Sequence, residues 1–225
     1  MSTAPHEPGL STVAARVTAR ALAHRYSRGR GLEAIDFTLE SPGVNAVCGA
    51  NGAGKSTLLR IVAGLLRPTS GSSEVQVAGL AVAPALRRHV IGYAGPDLAF
   101  YDELTVEENL RFAAEARGLT GSTALVDSAL ERVGLDSRRR DRADALSSGM
   151  SQRLRLAFAL LHAPPLLLLD EPGNHLDEEG RATLERVVRD EGRRALVLIA
   201  TNEERERALA SHIIELRGRG LGHPA

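Results

Sequence analysis

The sequence predicts an α/β fold. A mostly parallel sheet carries a phosphate-binding loop, an antiparallel β layer precedes that loop, and a helical lobe is inserted further on. Three observations predict it. Gly49-Ala50-Asn51-Gly52-Ala53-Gly54-Lys55-Ser56 matches G-x-x-x-x-G-K-[ST] and lies between an apolar run, Val44 to Cys48, and the helically spaced stretch Thr57 to Leu66. Leu166 to Leu169, four consecutive leucines bounded by prolines, read as a strand buried on both faces. A second buried strand, Ala195 to Ala200, follows a helical stretch at about 178–191, and strands that alternate with helices pair in parallel through right-handed crossovers.

In chain order, residues 1–11 are expected to be a disordered tail without the charged and apolar regions of a secretory signal. Residues 12–225 are expected to form one domain, with the helical lobe at about 98–162. Val17, Ala19 and Ala21 alternate with polar residues, and Ile35 to Leu39 alternates again, which gives the antiparallel layer. Tyr26 sits between them, bracketed by Ser27, Arg28, Gly29, Arg30 and Gly31, either as a ring for a base or as a half-buried loop residue. In the loop itself, glycines let successive N–H groups turn toward phosphate, and the following helix adds its positive end. Lys55 would reach the β- and γ-phosphates, and the Ser56 hydroxyl would ligate Mg²⁺. Pro68 to Ser73 reads as a turn cluster, Glu74 to Val77 and Val90 to Tyr93 as strands, and Thr105 to about Leu161 as helices broken at Gly118, Gly121 and Gly134.

The leucine strand ends in adjacent acids. Alternation along a strand would send Asp170 and Glu171 to opposite sides, so they can take different tasks. Asp170 suits a hard cation, and Glu171 suits the orientation and deprotonation of an attacking water.

Composition narrows the classes. Lysine plus arginine balances aspartate plus glutamate, 28 against 28, and aromatics make up 3 %, so neither charge nor stacking points to nucleic acid as a partner. No apolar run approaches the roughly 18 to 20 residues that span a bilayer. The single cysteine, Cys48, fits a reducing cytoplasm and a packing role.

Leu146-Ser147-Ser148-Gly149-Met150, with Ser151-Gln152-Arg153 behind it, completes a set with GANGAGKST, LLLLDEP and Asn174-His175-Leu176-Asp177. In this order the motifs resemble those of the ATP-binding cassette (ABC) family, from about Arg16 to Leu216, with LSSGM at the family's signature LSGGQ. The resemblance implies an ABC ATPase core of the P-loop NTPase class that binds ATP and Mg²⁺. It also implies two cassettes paired head to tail, homodimer or heterodimer, on transmembrane transporter subunits at the inner face of the membrane. Tyr26 falls at the adenine position. Asn51, Gly52, Ala53, Gly54, Lys55, Ser56 and Thr57 form the phosphate loop, and Ser56 and Asp170 hold the metal. Glu171 is catalytic, and Ser147 and Gly149 meet the γ-phosphate of the other copy. Asp177 falls in the loop that communicates between sites. The run SSGMSQRLRLAFALLH is similar to the cytochrome c maturation type of cassette, linked to haem export. A soluble cassette acting on DNA or the ribosome, or a poorly hydrolysing regulatory subunit, is the competing reading.

Three departures from the family pattern stand out. Ser148 replaces a signature glycine and would be strained if that position required positive φ. The glutamine expected after Tyr93 is absent, the stretch being Ala94-Gly95-Pro96-Asp97. Asp97 is then either a substitute metal or water ligand or part of a turn facing solvent. Asn202 stands where the family has a histidine, so it can donate a hydrogen bond to phosphate but cannot become a cation. Hydrolysis is accordingly expected to be slow. Asp97 to Glu103, with Phe100 and Tyr101, is either a docking surface or satellite packing.

Overall fold

A computed structural model describes residues 13–27 and 31–217. The predicted tail at 1–11 and the residues 28–30 beside Tyr26 lie outside the described residues. In chain order the elements are β1 (Ala15–Arg25), β2 (Gly31–Glu40), β3 (Gly43–Cys48), α1 (Lys55–Val62), β4 (Ser70–Val77), β5 (Leu80–Ala81) and β6 (Ile91–Ala94). They continue with α2 (Val106–Ala116), α3 (Ser122–Val133), α4 (Ser148–Leu160), β7 (Leu166–Asp170), α5 (Glu178–Gly192), β8 (Leu196–Ala200), α6 (Glu204–Arg207) and β9 (His212–Glu215).

Two sheets result. One is antiparallel in the order β2-β1-β4-β5, and the other runs β6-β7-β8-β3-β9 with every neighbouring pair parallel. The leucine strand shows why the parallel sheet is central. Leu167 and Leu169 pack with α2, α3, α4 and α5, whereas Leu166 and Leu168 pack with α1 and the antiparallel sheet. A strand covered on both faces has no polar side, so its alternation is one of destination and not of hydrophobicity. The helices α2, α3 and α4 all lie in the connection between β6 and β7, which are neighbours in the sheet.

Local chemistry sets several boundaries. Thr105 and Glu108 form a capping box at the start of α2, and Gly134 closes α3 in a left-handed conformation. The predicted turn at Pro68 to Ser73 is partly strand: Ser72 and Ser73 pair with Arg20 and Ala19, because the long β1 supplies partners that local turn propensity does not reveal. The alternation Val17, Ala19, Ala21 also breaks. A register shift between Ala19 and Leu22 turns Ala21 outward, where its N–H donates to Asp36 Oδ1 at 2.8 Å, and buries Leu22 instead.

Candidate nucleotide site

The register of the parallel sheet assembles the site. Val47 of β3 and Asp170 of β7 both pair with Ala200 of β8, so three chain segments leave the sheet at one level: the phosphate loop, Glu171, and Thr201 with Asn202. Carboxyl ends of parallel strands are where α/β sheets bind ligands. At this edge a cleft of about 470 Å³ is lined by Tyr26, Gly31, Asn51, Gly52, Gly54, Lys55, Ser56, Thr57 and Glu171. The register therefore brings together residues that the sequence names far apart.

Gly54 caps α1 at φ 103°, and a Cβ there would lie 2.9 Å from the Leu32 Cα. Backbone geometry and space both demand glycine. Ala53 is buried below the loop, and Asn51 and Gly52 are exposed at its rim. Lys55 is 5 % exposed, and its ammonium donates to Gly49 O at 2.8 Å. The orientation of the Asn202 amide that satisfies its surroundings puts the nitrogen on Gly49 O at 2.7 Å and the oxygen on Lys55 Nζ at 3.0 Å. Asn202 thus reaches the loop from β8. Tyr26 is 39 % exposed at the cleft wall, with its hydroxyl 3.4 Å from Thr57 Oγ1 and its ring edge-on to His24.

Ser56 Oγ donates to Asp170 Oδ1 at 3.0 Å, while Asp170 Oδ2 is buried without a hydrogen-bond partner. Burial pushes the Asp170 carboxyl above its usual range, the Ser56 hydrogen bond opposes this, and the neighbouring Glu171 adds to it. An orphaned carboxylate oxygen beside a hydroxyl fits a small hard cation. Among the described residues no three His, Cys, Asp or Glu side chains cluster as ligands. That donor set suits Mg²⁺, which takes one or two carboxylates and fills its shell from phosphate and water.

Glu171 departs from simple strand alternation. It has already left β7, at φ 50°, a left-handed conformation that costs a residue with a Cβ about 1–3 kcal/mol unless its surroundings hold it. Its N–H donates to Ala200 O at 2.8 Å, and Asn174 Nδ2 donates to its Oε2 at 2.7 Å. In the sequence Asn174 carries no signal beyond its place in Asn174-His175-Leu176-Asp177, and its bearing on the Glu171 carboxylate comes from the turn between them. Asp97 does not line the cleft. Its carboxylate is ion-paired with Arg60 of α1 and its side chain is 66 % exposed, so metal ligation would first have to break that pair.

The family description "ABC transporter" matches residues 32–174. The chain belongs to that family. An uncharacterized ABC transporter ATP-binding protein of Bacillus subtilis is 37 % identical over 80 % of this chain and 60 % of its own length. A protein of Rhodococcus jostii named as an Fe(3+) ions import ATP-binding protein is 39 % identical over 78 % of this chain and 51 % of its own. The chain therefore spans between half and two thirds of these curated relatives. A solved ATP binding subunit of an ABC transporter superposes with a TM-score of 0.76 at 28 % identity, covering 91 % of this chain and 88 % of that one.

The cassette's signature stands apart from its own phosphate loop, and neither Ser147 nor Gly149 lines the cleft. Ser147 is exposed and caps α4, its Oγ accepting from Met150 N at 3.2 Å. Ser148 corrects the expectation of strain: it is the first helical residue of α4, where positive φ is not required. Asp177 caps α5 by accepting from Gly180 N at 2.8 Å. No described helix is long and apolar enough to cross a membrane.

Between the loop after β6 and helices α2 and α4, Phe100, Tyr101, Phe112 and Phe158 line an apolar groove of about 480 Å³. Phe100 lies edge-on to Phe158 and packs partly against the core, while Tyr101 and Phe112 pair edge-on with about half of each side chain exposed. Buried Asn109 fixes the loop: its amide donates to the carbonyls of Tyr101 and Thr105 at 3.0 Å and accepts from Tyr101 N at 2.9 Å. Phe100 thus faces inward and Tyr101 outward.

Proposed function

We propose that the chain is the ATP-binding and ATP-hydrolysing part of a transporter that works through separate membrane subunits. The observation that carries this reading is the cleft lined by the phosphate loop, Ser56 and Glu171, with buried Asp170 and its orphaned oxygen hydrogen-bonded directly behind Ser56. Tyr26 stacks on the adenine. The loop amides and Lys55 hold the β- and γ-phosphates, the ammonium exchanging its carbonyl partner for phosphate oxygens. Ser56 and Asp170 hold Mg²⁺, which neutralises phosphate charge when bound. Glu171 orients a water and accepts its proton, and Asn202 donates to a γ-phosphate oxygen.

The exposed signature supports pairing with a second cassette. Ser147 and the Gly149 amide of one copy, at the start of α4, complete the phosphate site of the other. The groove around Tyr101 and Phe112 suits an apolar segment of a membrane subunit, and the reading has the chain work at the inner face of the membrane. Nothing in the charge balance favours nucleic acid as a partner.

Purified chain should hydrolyse ATP only with Mg²⁺, and Glu171→Gln should reduce turnover at least about 100-fold, the low end for a positioned base. Turnover no higher than that of Glu171→Gln would favour the non-hydrolysing regulatory reading. Tagged chain recovered from native membranes with MgATP should bring down a multi-span protein. Recovery of ribosomal or DNA-associated proteins alone would refute the transporter reading.

A further inference from the structure

Glu171 sits in a backbone conformation that residues with a Cβ disfavour, directly before Pro172, which biases it toward extended geometry instead. Something must hold it. From the helical layer, Gln152 of α4, 9 % exposed, donates from Nε2 to Pro172 O at 3.1 Å and, at a longer 3.5 Å, to Glu171 O. The Gln152 amide is itself oriented, because Arg155 Nη1 donates to its Oε1 at 3.0 Å and leaves only the NH₂ group to face the two carbonyls. Arg155 then turns to the loop after β6, where its Nε donates to Leu98 O at 3.1 Å.

We propose that Arg155 and Gln152 are positioning residues that tie the Leu98 loop, next to Phe100 and the apolar groove, to the main chain of Glu171. Neither residue touches the cleft. The bridge runs from Leu98 O through the guanidinium and the amide to the consecutive carbonyls of Glu171 and Pro172. Each link is a directional hydrogen bond in a partly or fully buried setting, so a shift of the Leu98 loop that moves Arg155 releases or retightens the turn that aims the Glu171 carboxylate. A planar guanidinium suits this task, since two of its donors leave at fixed angles toward different partners, whereas an ammonium can reach one at a time. The bridge also supplies a physical link between loop and catalytic turn in a chain whose Ala94-Gly95-Pro96-Asp97 stretch has no glutamine. That Glu171 is the group being aimed rests on the ATPase reading above.

The test uses the full chain and three variants. Arg155→Met keeps the stem and removes both donors, Arg155→Lys restores one, and Gln152→Glu sets a carboxylate against two carbonyls. Hydrogen–deuterium exchange, followed by mass spectrometry without nucleotide, should show residues 171–176 exchanging at least fivefold faster in Arg155→Met and Gln152→Glu. β3 and α1 should be unchanged, and Arg155→Lys should fall between. In steady-state turnover kcat should drop about tenfold at a KM within twofold of the wild type. Unchanged exchange at 171–176 overturns the bridge, as does a uniform rise across the chain, which would mark a merely structural role. Wild-type turnover no higher than that of Glu171→Gln would instead refute the ATPase reading, leaving exchange to decide the bridge by itself.

Discussion

Replacing His162 with leucine should remove a specific part of the chain's acid sensitivity. His162 follows α4, and neither ring nitrogen has a hydrogen-bond partner of good geometry although both are buried. Burial pushes its pKa down to about 4 from the ordinary 6.5, and the nearby charges of Arg117, His89 and Arg194 act in the same direction, against a weak contact with the Ile91 backbone. The folded chain therefore keeps this ring neutral while the unfolded chain protonates it. Between pH 6.5 and 4 the unfolded state binds more protons, so stability is full above 6.5 and is lost as pH falls. Over the whole window this is about 3 kcal/mol, and between pH 7 and pH 5 about 2 kcal/mol. For a domain of this size the latter corresponds to about 4–8 °C in Tm. Thermal melts followed by circular dichroism at the two pH values should show the wild type falling further than His162→Leu by that margin. At pH 7 the variant should be no less stable, because it removes two unpaired polar atoms. Equal falls in both proteins would refute the reasoning.

Arg87→Met should lower Tm by about 6–12 °C, equivalent to about 3 kcal/mol, because the buried guanidinium donates to Ile61 O, Val62 O and Ser73 O at 3.1, 3.0 and 2.8 Å and ties the end of α1 to β4. Calorimetry checks it, and a fall under 2 °C would count against the role. Gly54→Ala should abolish nucleotide binding in a fluorescent-ATP titration and cost about 1–3 kcal/mol of stability, since φ 103° and Leu32 both oppose a Cβ. Ser147→Ala should cost about 1 kcal/mol as a lost helix cap. It should also reduce ATP-dependent dimer formation in sedimentation experiments well beyond what that stability loss explains, whereas an unchanged dimer would separate Ser147 from the second copy's phosphate.

Much of the site was legible because its chemistry is local. The phosphate loop needs a strand, a glycine-rich turn and a helix in one stretch, and residues 44–66 supply all three. The leucine strand announced its own burial, and the two core clusters accept its side chains alternately. Errors arose where neighbours outside the local window decide. Ser70 to Ser73 look like a turn until β1 offers them partners, and Ala21 faces outward only because of a register shift. Ser148 looked strained on the expectation of a glycine conformation, yet the helix starts there. Asp97, open between a metal or water ligand and a turn facing solvent, pairs with Arg60, 37 residues earlier, a contact that no local pattern reveals.

The sequence by itself singled out the candidates for binding phosphate, holding a cation and acting on water, since those capacities belong to side-chain types and short spacings. Only the tertiary structure decided which of them meet. Ser56 and Asp170 are 114 residues apart and touch, and Asn202 reaches a loop about 150 residues away, because strand order and register put the ends of β3, β7 and β8 at one level. Pairing between distant strands is set by which faces can be buried together, and no local pattern encodes that.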